Sequence, residues 1–155
     1  MRYLYFDSSA LVKRYYREIG TEFVKEFCQN EDNVIAISDI AIAELGATFA
    51  RLLREGNIKE DKYTIILDDF INDYFEEYFK VAIDFNIFIS ATRLAKKNSL
   101  RAYDAIQLAC AINFRETIIL NESKSDIFFV VADDALEKAA NAEGFKTINP
   151  NIYNK

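Results

Sequence analysis

The sequence contains no histidine among its 155 residues. Imidazole is the commonest general acid or base near neutral pH, and it completes Ser/His/Asp and Cys/His triads and HExxH zinc sites. All of these centres are therefore excluded. If the protein is a catalyst, we expect carboxylates and a bound ion to carry the chemistry.

Glycine, proline and cysteine are also scarce. The four glycines are scattered, which excludes the GxxxxGK[ST] and GxGxxG phosphate-binding loops of ATPases and dinucleotide-binding proteins. The single proline, Pro150, lies near the end, so no proline-rich linker divides the chain. Cys28 and Cys110 are far apart in apolar helical surroundings, which supports neither a disulfide framework nor a zinc ribbon.

Long apolar runs are absent as well. None approaches the roughly 20 residues of a membrane span, and Asp7 comes too early for a signal-peptide core. We therefore expect a cytoplasmic protein with no membrane partner. The net charge of -6 argues against a generally basic surface, so any contact with a polyanion must be local. The length and the 51% hydrophobic content predict a single domain over residues 1–155.

Short apolar runs alternate with helical patterns along the chain. Strands are predicted at residues 2–6, 34–37, 80–84, 127–131 and 145–148. Helices are predicted from near Ala10 and over 21–29, 39–54, 59–79, 87–95, a segment carrying Asp104, and 133–143. This alternation is typical of a parallel sheet covered on both faces. The helix at 59–79 has an unusually broad, aromatic apolar face, part of which is a candidate docking surface for a partner.

Four acidic residues occur where a solvent-facing acid has least reason to be. Asp7 ends the first apolar run, Glu44 and Asp104 interrupt apolar helical stripes, and Asp133 follows the apolar run 127–132. In an open parallel sheet, ligands bind where the carboxyl ends of the strands meet, and Asp7 and Asp133 map to that edge. Clustered carboxylates repel one another unless a cation intervenes, so the pattern predicts a site for Mg²⁺ or Mn²⁺. Such a site suits phosphodiester hydrolysis by an activated water.

Each acid also has an ordinary structural explanation. Asp7 and Asp133 could simply cap the helices that follow them, because a helix N-terminus favours an acidic side chain. Glu44 and Asp104 could instead form structural salt bridges with Arg51 or Arg101.

Other polar residues could support a metal site. Ser9 could place its hydroxyl near Asp7 and the ion. Gln107 should share the helical face of Asp104, where it could orient a ligand or a water, or merely satisfy a neighbouring group. Three basic residues one turn past Asp7 could contact RNA phosphates, although a solvated helical face explains them equally well: Lys13, Arg14 and Arg17.

Four segments together resemble PIN-domain ribonucleases of the VapC toxin type. They are residues 5–13 (YFDSSALVK), 38–44 (SDIAIAE), 100–109 (LRAYDAIQLA) and 130–136 (VVADDAL). The similarity extends over nearly the whole chain, with the segments in the family's order and approximate spacing. The segment around Asp104 is the most specific of the four.

The resemblance implies a metal-dependent endoribonuclease with a PIN-like α/β fold: a three-layer α/β/α sandwich with a central, mostly parallel five-stranded sheet. Asp7, Glu44 and Asp104 would be the core acids of the site and Asp133 the fourth. The resemblance also implies an RNA substrate, a cognate antitoxin and commonly a homodimer. Antitoxins of the family typically wrap a hydrophobic groove of the toxin, which the aromatic face of residues 63–79 fits.

Two positions depart from the family pattern. Gln107 stands where many relatives carry histidine, although glutamine also occurs there. Asp134 lies beside Asp133, so either acid could reach the metal, and we favour Asp133 because it directly follows the strand.

Three other functions are alternatives to a metal-dependent endoribonuclease. A non-catalytic PIN-fold interaction module would keep the fold and bind a protein, although the intact acids disfavour it. A small phosphohydrolase is weaker, because Asp7-Ser8-Ser9 lacks a DxD arrangement. A receiver domain is disfavoured because its acid pair comes early in the chain, whereas Asp133 and Asp134 come late.

Overall fold

One parallel sheet forms the centre of the fold. A computed structural model describes residues 1–121 and 126–153. The strands are β1 Arg2–Phe6, β2 Asn33–Ser38, β3 Phe79–Val81, β4 Asp126–Val130 and β5 Lys146–Ile148. Their order is β3-β2-β1-β4-β5 and every pairing is parallel. The predicted five-stranded α/β fold is confirmed. The predicted single domain covers residues 1–155, of which 122–125 and 154–155 lie outside the described residues.

The strand order places a switch in chain direction at β1. From β1 the chain moves outward to β2 and β3, then returns to add β4 and β5 on the other side. Connections on the two sides of such a point run to opposite faces of the sheet and leave a crevice at the carboxyl ends of the strands. Asp7 follows β1 directly, and Asp133 lies three residues beyond β4.

Helices occupy both faces of the sheet. They are α1 Ser8–Leu11, extended by a 3₁₀ turn at Val12–Arg14, α2 Thr21–Gln29, α3 Ile40–Arg54, α4 Glu60–Glu76, α5 Phe85–Asn98, α6 Ala102–Asn121 and α7 Asp134–Ala142, with a second 3₁₀ turn at Pro150–Ile152. In the part of the chain that the structure describes, no helix is both long and apolar enough to cross a membrane.

Alternating side chains of β1 separate two cores. Leu4 and Phe6 pack with α1 to α4 on one face, and Tyr3 and Tyr5 pack with α5 to α7 on the other. Successive side chains of a strand point to opposite faces, so one central strand supplies both cores. The result is the predicted three-layer sandwich.

Two of the boundaries that differ from those predicted lie between α4 and α5. The helix predicted over 59–79 ends at Glu76, and β3 covers Phe79–Val81 rather than 80–84. The Asp84 carboxylate accepts a hydrogen bond from the Ile87 backbone N–H at 3.0 Å and caps α5, which therefore begins at Phe85. Because Asp84 caps α5, it belongs to the start of that helix and not to β3.

The aromatic face of α4 is mostly internal, which limits the part of it that could serve as a docking surface. Phe70 is fully buried, and Ile66 and Tyr74 are nearly so, in the core that contains α3. The breadth of this apolar face reflects contact with the protein's own interior. Ile65 and Phe75 are the large apolar side chains of α4 that remain exposed.

Candidate active site

A pocket of about 510 Å³ opens at the carboxyl edge of the sheet, next to the switch at β1. All four acids singled out in the sequence line it: Asp7, Glu44, Asp104 and Asp133. They come from four separate segments, namely the end of β1, helix α3, the first turn of α6 and the start of α7.

Asp7 is the most buried of the four acids, with 4% of its surface exposed. Its Oδ2 accepts hydrogen bonds from the Ser9 hydroxyl at 2.5 Å and from the Ser9 backbone N–H at 2.9 Å. Burial raises the pKa of Asp7 to about 7; the hydrogen bonds from Ser9 oppose this rise, and the Glu44 and Asp104 carboxylates add to it.

Ser9 also joins the two strand ends that carry acids. Its hydroxyl oxygen accepts a hydrogen bond from the Ala132 backbone N–H at 3.0 Å, next to Asp133. The Asp7 backbone N–H donates to the Val130 carbonyl oxygen at 2.9 Å. The relative positions of Asp7 and Asp133 are therefore set by the register of β1 and β4 and by this one serine.

Gln107 is fully buried and positions Glu44. Its Nε2 donates to Glu44 Oε2 at 2.5 Å and to Ser8 Oγ at 3.0 Å, and the Ser8 hydroxyl donates to the same Glu44 oxygen at 2.6 Å. Its Oε1 accepts from the Tyr5 hydroxyl at 2.6 Å and from the Ser38 hydroxyl at 3.1 Å. With two donors and two acceptor sites in use, the amide is satisfied and its orientation is determined.

Asp104 is half-buried and has a weak basic partner. Arg101 Nε lies 3.8 Å from its Oδ2, and the Arg101 side chain is 90% exposed. Burial raises the pKa of Asp104 above its usual value, as do the Asp133 and Glu44 carboxylates, while Arg101 lowers it. An ion pair that is long and open to water contributes little stability, so the salt-bridge explanation accounts poorly for this acid.

The structure separates the adjacent acids Asp133 and Asp134. Asp133 lines the pocket and caps α7, its Oδ1 accepting from the Leu136 backbone N–H at 2.8 Å. Asp134 is exposed and is not among the lining residues. The capping role expected for Asp7 and Asp133 therefore coexists with a position in the pocket.

The three basic residues considered for RNA contact do not line the pocket. Lys13 is 4% exposed, and its Nζ lies 3.3 Å from Glu18. Arg14 Nη2 lies 2.6 Å from Glu77 and 3.0 Å from Asp73. Lys13 and Arg14 are both compensated by carboxylates of the same chain, whereas Arg17 is exposed.

Several lining residues were not predicted to belong to the site. Ser8 holds Glu44, and Tyr16, Arg51 and Tyr103 also line the pocket wall. Arg51 was considered only as a salt-bridge partner, although its spacing of seven residues from Glu44 also places it on the same face of α3. The spacing of Tyr16 and Tyr103 gives no comparable indication.

Three observations bear on whether a metal ion fits. Asp7, Glu44 and Asp133 each have one oxygen held by hydrogen bonds and a second that accepts none from the described residues, and Asp104 has only the long ion pair with Arg101. Among those residues, no lysine or arginine pairs with Asp7, Glu44 or Asp133. Oxygen donors with uncompensated negative charge suit a hard divalent cation. No group of three or more Asp, Glu or Cys side chains within 1–121 and 126–153 is already assembled to hold an ion.

The family is identified by a sequence match. The model of the PIN domain family matches residues 4–140, and the chain belongs to this family. The resemblance of the four segments to PIN-domain proteins is thereby confirmed. None of the curated proteins compared with the chain matches it.

Solved structures share the fold at low sequence identity. The crystal structure of FitAcB from Neisseria gonorrhoeae has a TM-score of 0.61 at 15% identity, covering 95% of this chain and 97% of that one. FitAB bound to an IR36 DNA fragment has a TM-score of 0.65 at 13% identity, covering 95% and 94%. PAE2754 from Pyrobaculum aerophilum has a TM-score of 0.62 at 17% identity, covering 95% and 83%.

Proposed function

We propose that this protein is a Mg²⁺- or Mn²⁺-dependent endoribonuclease that acts in the cytoplasm as the toxin of a toxin–antitoxin pair. The observation that carries the proposal is the meeting of Asp7, Glu44, Asp104 and Asp133 around one pocket, each with at least one oxygen that accepts no hydrogen bond from the residues that the structure describes. Membership of the PIN domain family supports a nuclease, and the VapC-like segments support RNA as the substrate.

The four acids are the proposed metal ligands. A bound Mg²⁺ or Mn²⁺ would supply Lewis-acid chemistry, activating water for attack on phosphorus and offsetting charge on the phosphate oxygens. Asp7 offers Oδ1 while Ser9 holds Oδ2, and Glu44 offers Oε1 while Gln107 and Ser8 hold Oε2. The hydrogen bonds restrict rotation of each of these two carboxylates, so its second oxygen would remain available to a bound ion.

The proposed partners follow from the resemblance to VapC-type toxins. They are an RNA substrate, a cognate antitoxin and a second copy of the chain. FitAB, a structural neighbour, is bound to a DNA fragment, and a DNA-binding antitoxin would bring this protein to DNA in a similar assembly.

Cleavage of labelled RNA by the purified protein tests the proposal. We expect cleavage with Mg²⁺ or Mn²⁺ and none with EDTA. Asp7→Asn should reduce the rate on the order of 100-fold or more, because it removes a charged ligand while keeping the side-chain volume. Asp133→Asn should lose more activity than Asp134→Asn, because only Asp133 lines the pocket.

Asp69→Asn is the matched control. It makes the same chemical change at an exposed position on α4, outside the pocket, and should leave the rate unaltered. Cleavage that persists in Asp7→Asn, or that needs no metal, would contradict the proposal. Binding of a partner protein with no cleavage of RNA in either metal would favour the non-catalytic interaction module.

A further inference from the structure

Arg51 is unusual in its surroundings. It is the one basic side chain among the described residues that line the acidic pocket. It is exposed, and no carboxylate within 1–121 and 126–153 pairs with its guanidinium. An arginine that served only to neutralise the acids would be expected to pair with one of them. Arg51 therefore keeps its planar donors available to an external anion.

The spacing on α3 separates Arg51 from the acids. It lies about 10 Å along the helix axis from Glu44, on the same face. The residues of this face between them are Ala47, whose small side chain is exposed, and Thr48, and both line the pocket wall. An extended anionic chain can therefore lie along α3, with one phosphate at the acids and another near the arginine.

No contact within the part of the chain that the structure describes explains the position of Tyr103. It directly precedes Asp104 in the first turn of α6 and lines the same pocket, yet it is 60% exposed. Its hydroxyl makes no hydrogen bond, and its ring no aromatic contact, within the described residues. An exposed aromatic ring beside a site for phosphate chemistry presents a face on which a nucleobase can stack.

We propose that Arg51 and Tyr103 bind the substrate strand beside the acids, with Arg51 contacting a backbone phosphate and Tyr103 stacking on an unpaired base. The assignment rests on the proposed nuclease function and specifies its substrate class. In a duplex, each base face is covered by its neighbours, so Tyr103 could stack only on a base in a single strand, loop or bulge. Stacking tolerates every base, so Tyr103 selects unpaired RNA rather than a sequence.

Binding of RNA by the full chain tests this assignment separately from cleavage. A short fluorescein-labelled single-stranded RNA is titrated by anisotropy in the Asp7→Asn background with Mg²⁺. Tyr103→Ala should raise Kd by about 5- to 100-fold, while Tyr103→Phe, which keeps the ring, should bind like the parent. Arg51→Ala should weaken binding and lower the slope of log K against log salt by about 0.7.

Two controls and one altered ligand complete the experiment. Arg54→Ala removes an exposed arginine of α3, and Phe85→Ala an exposed aromatic ring at the start of α5; neither lines the pocket, and both should bind like the parent. A strand of abasic nucleotides keeps the phosphates and lacks the bases. With this strand, Arg51→Ala should still weaken binding, whereas Tyr103→Ala should have no effect.

The outcomes separate the two proposals. Unchanged Kd values for Arg51→Ala and Tyr103→Ala, in a protein that cuts RNA, would overturn the contact assignment and leave the nuclease intact. Weakened binding by both variants, in a protein whose unsubstituted form does not cut RNA, would support the contacts and overturn the nuclease. If Tyr103→Ala altered the oligomeric state in size-exclusion chromatography but not the Kd, Tyr103 would be a protein contact and the assignment would fail.

Discussion

Gln107 illustrates how one buried residue can organise a charged site. Its amide connects Glu44 and Ser8 in the pocket to Tyr5 in the core, across separations in sequence of 63, 99 and 102 residues. A histidine could not donate twice and accept twice at the same time, whereas a primary amide does both. Glutamine therefore suits a position where all four neighbours are polar.

Removal of this amide should be costly. Gln107→Met keeps a similar volume but leaves the buried Tyr5 and Ser38 hydroxyls without their acceptor. We expect the free energy of unfolding to fall by about 2–4 kcal/mol, because each buried polar group left unpaired costs about 1–3 kcal/mol. Chemical denaturation measures the change.

A double-mutant cycle provides the control for Gln107→Met. Tyr5→Phe removes one of the hydroxyls that Gln107→Met leaves without an acceptor. The double variant should therefore be less destabilised than the sum of the single changes by roughly 1 kcal/mol. Strict additivity would mean that the hydrogen bond from Tyr5 to Gln107 contributes nothing to stability.

At the scale of elements, Gly20 connects the start of α2 to the 3₁₀ turn near the end of the described chain. Its φ of +85° lies in the left-handed region, and a Cβ built there would clash with the Pro150 carbonyl oxygen. Gly46, inside α3, has no atom within 4 Å of such a Cβ. The two glycines therefore differ in both backbone conformation and available space.

Alanine substitution should act in opposite directions at these two glycines. Gly20→Ala should destabilise the protein by about 2–4 kcal/mol, because the contact with Pro150 involves backbone that cannot move freely and the left-handed conformation adds strain. Gly46→Ala should stabilise it by up to about 1 kcal/mol through higher helix propensity. Thermal or chemical unfolding of both variants checks the contrast, and equal effects at the two positions would contradict it.

The whole molecule carries a net charge of -6 and gathers part of that charge in one pocket. Because burial is the main cause of the raised pKa of Asp7, about 7, the folded protein retains a proton there that the unfolded chain loses near pH 4. The contribution of Asp7 to stability is therefore fully present below pH 4 and is lost as the pH rises toward 7 and above.

Comparison with Asp7→Asn isolates this effect from that of every other titrating group. In EDTA, the variant should match the unsubstituted protein near pH 4 and be more stable at pH 8, by on the order of 2–4 kcal/mol. Mn²⁺ at pH 8 should reverse the ranking and make the unsubstituted protein the more stable of the two, because an ion that binds only the folded state stabilises it. A pH-independent difference in EDTA would contradict a shifted pKa for Asp7, and an unchanged ranking with Mn²⁺ would argue against a metal site.

Features that depend on local pattern were predictable from the sequence. The strands and helices follow hydrophobic periods of 2 and 3.6 residues. The absence of histidine, which is evident from the sequence alone, excludes every catalyst that needs an imidazole group. The four acids could be singled out because each interrupts an apolar pattern or ends an apolar run. Their meeting at one edge followed from the general geometry of parallel sheets.

Only the tertiary structure decided which of these residues have partners. Arg14 is paired with Glu77, 63 residues away, and Gln107 holds Glu44 at the same separation, because the strand order brings those segments together. The apolar face of α4 points inward for the same reason, because the fold places α3 where it packs against that face. Periodicity states which side of an element is apolar, but contacts between distant segments depend on how the layers stack, and no local pattern records that.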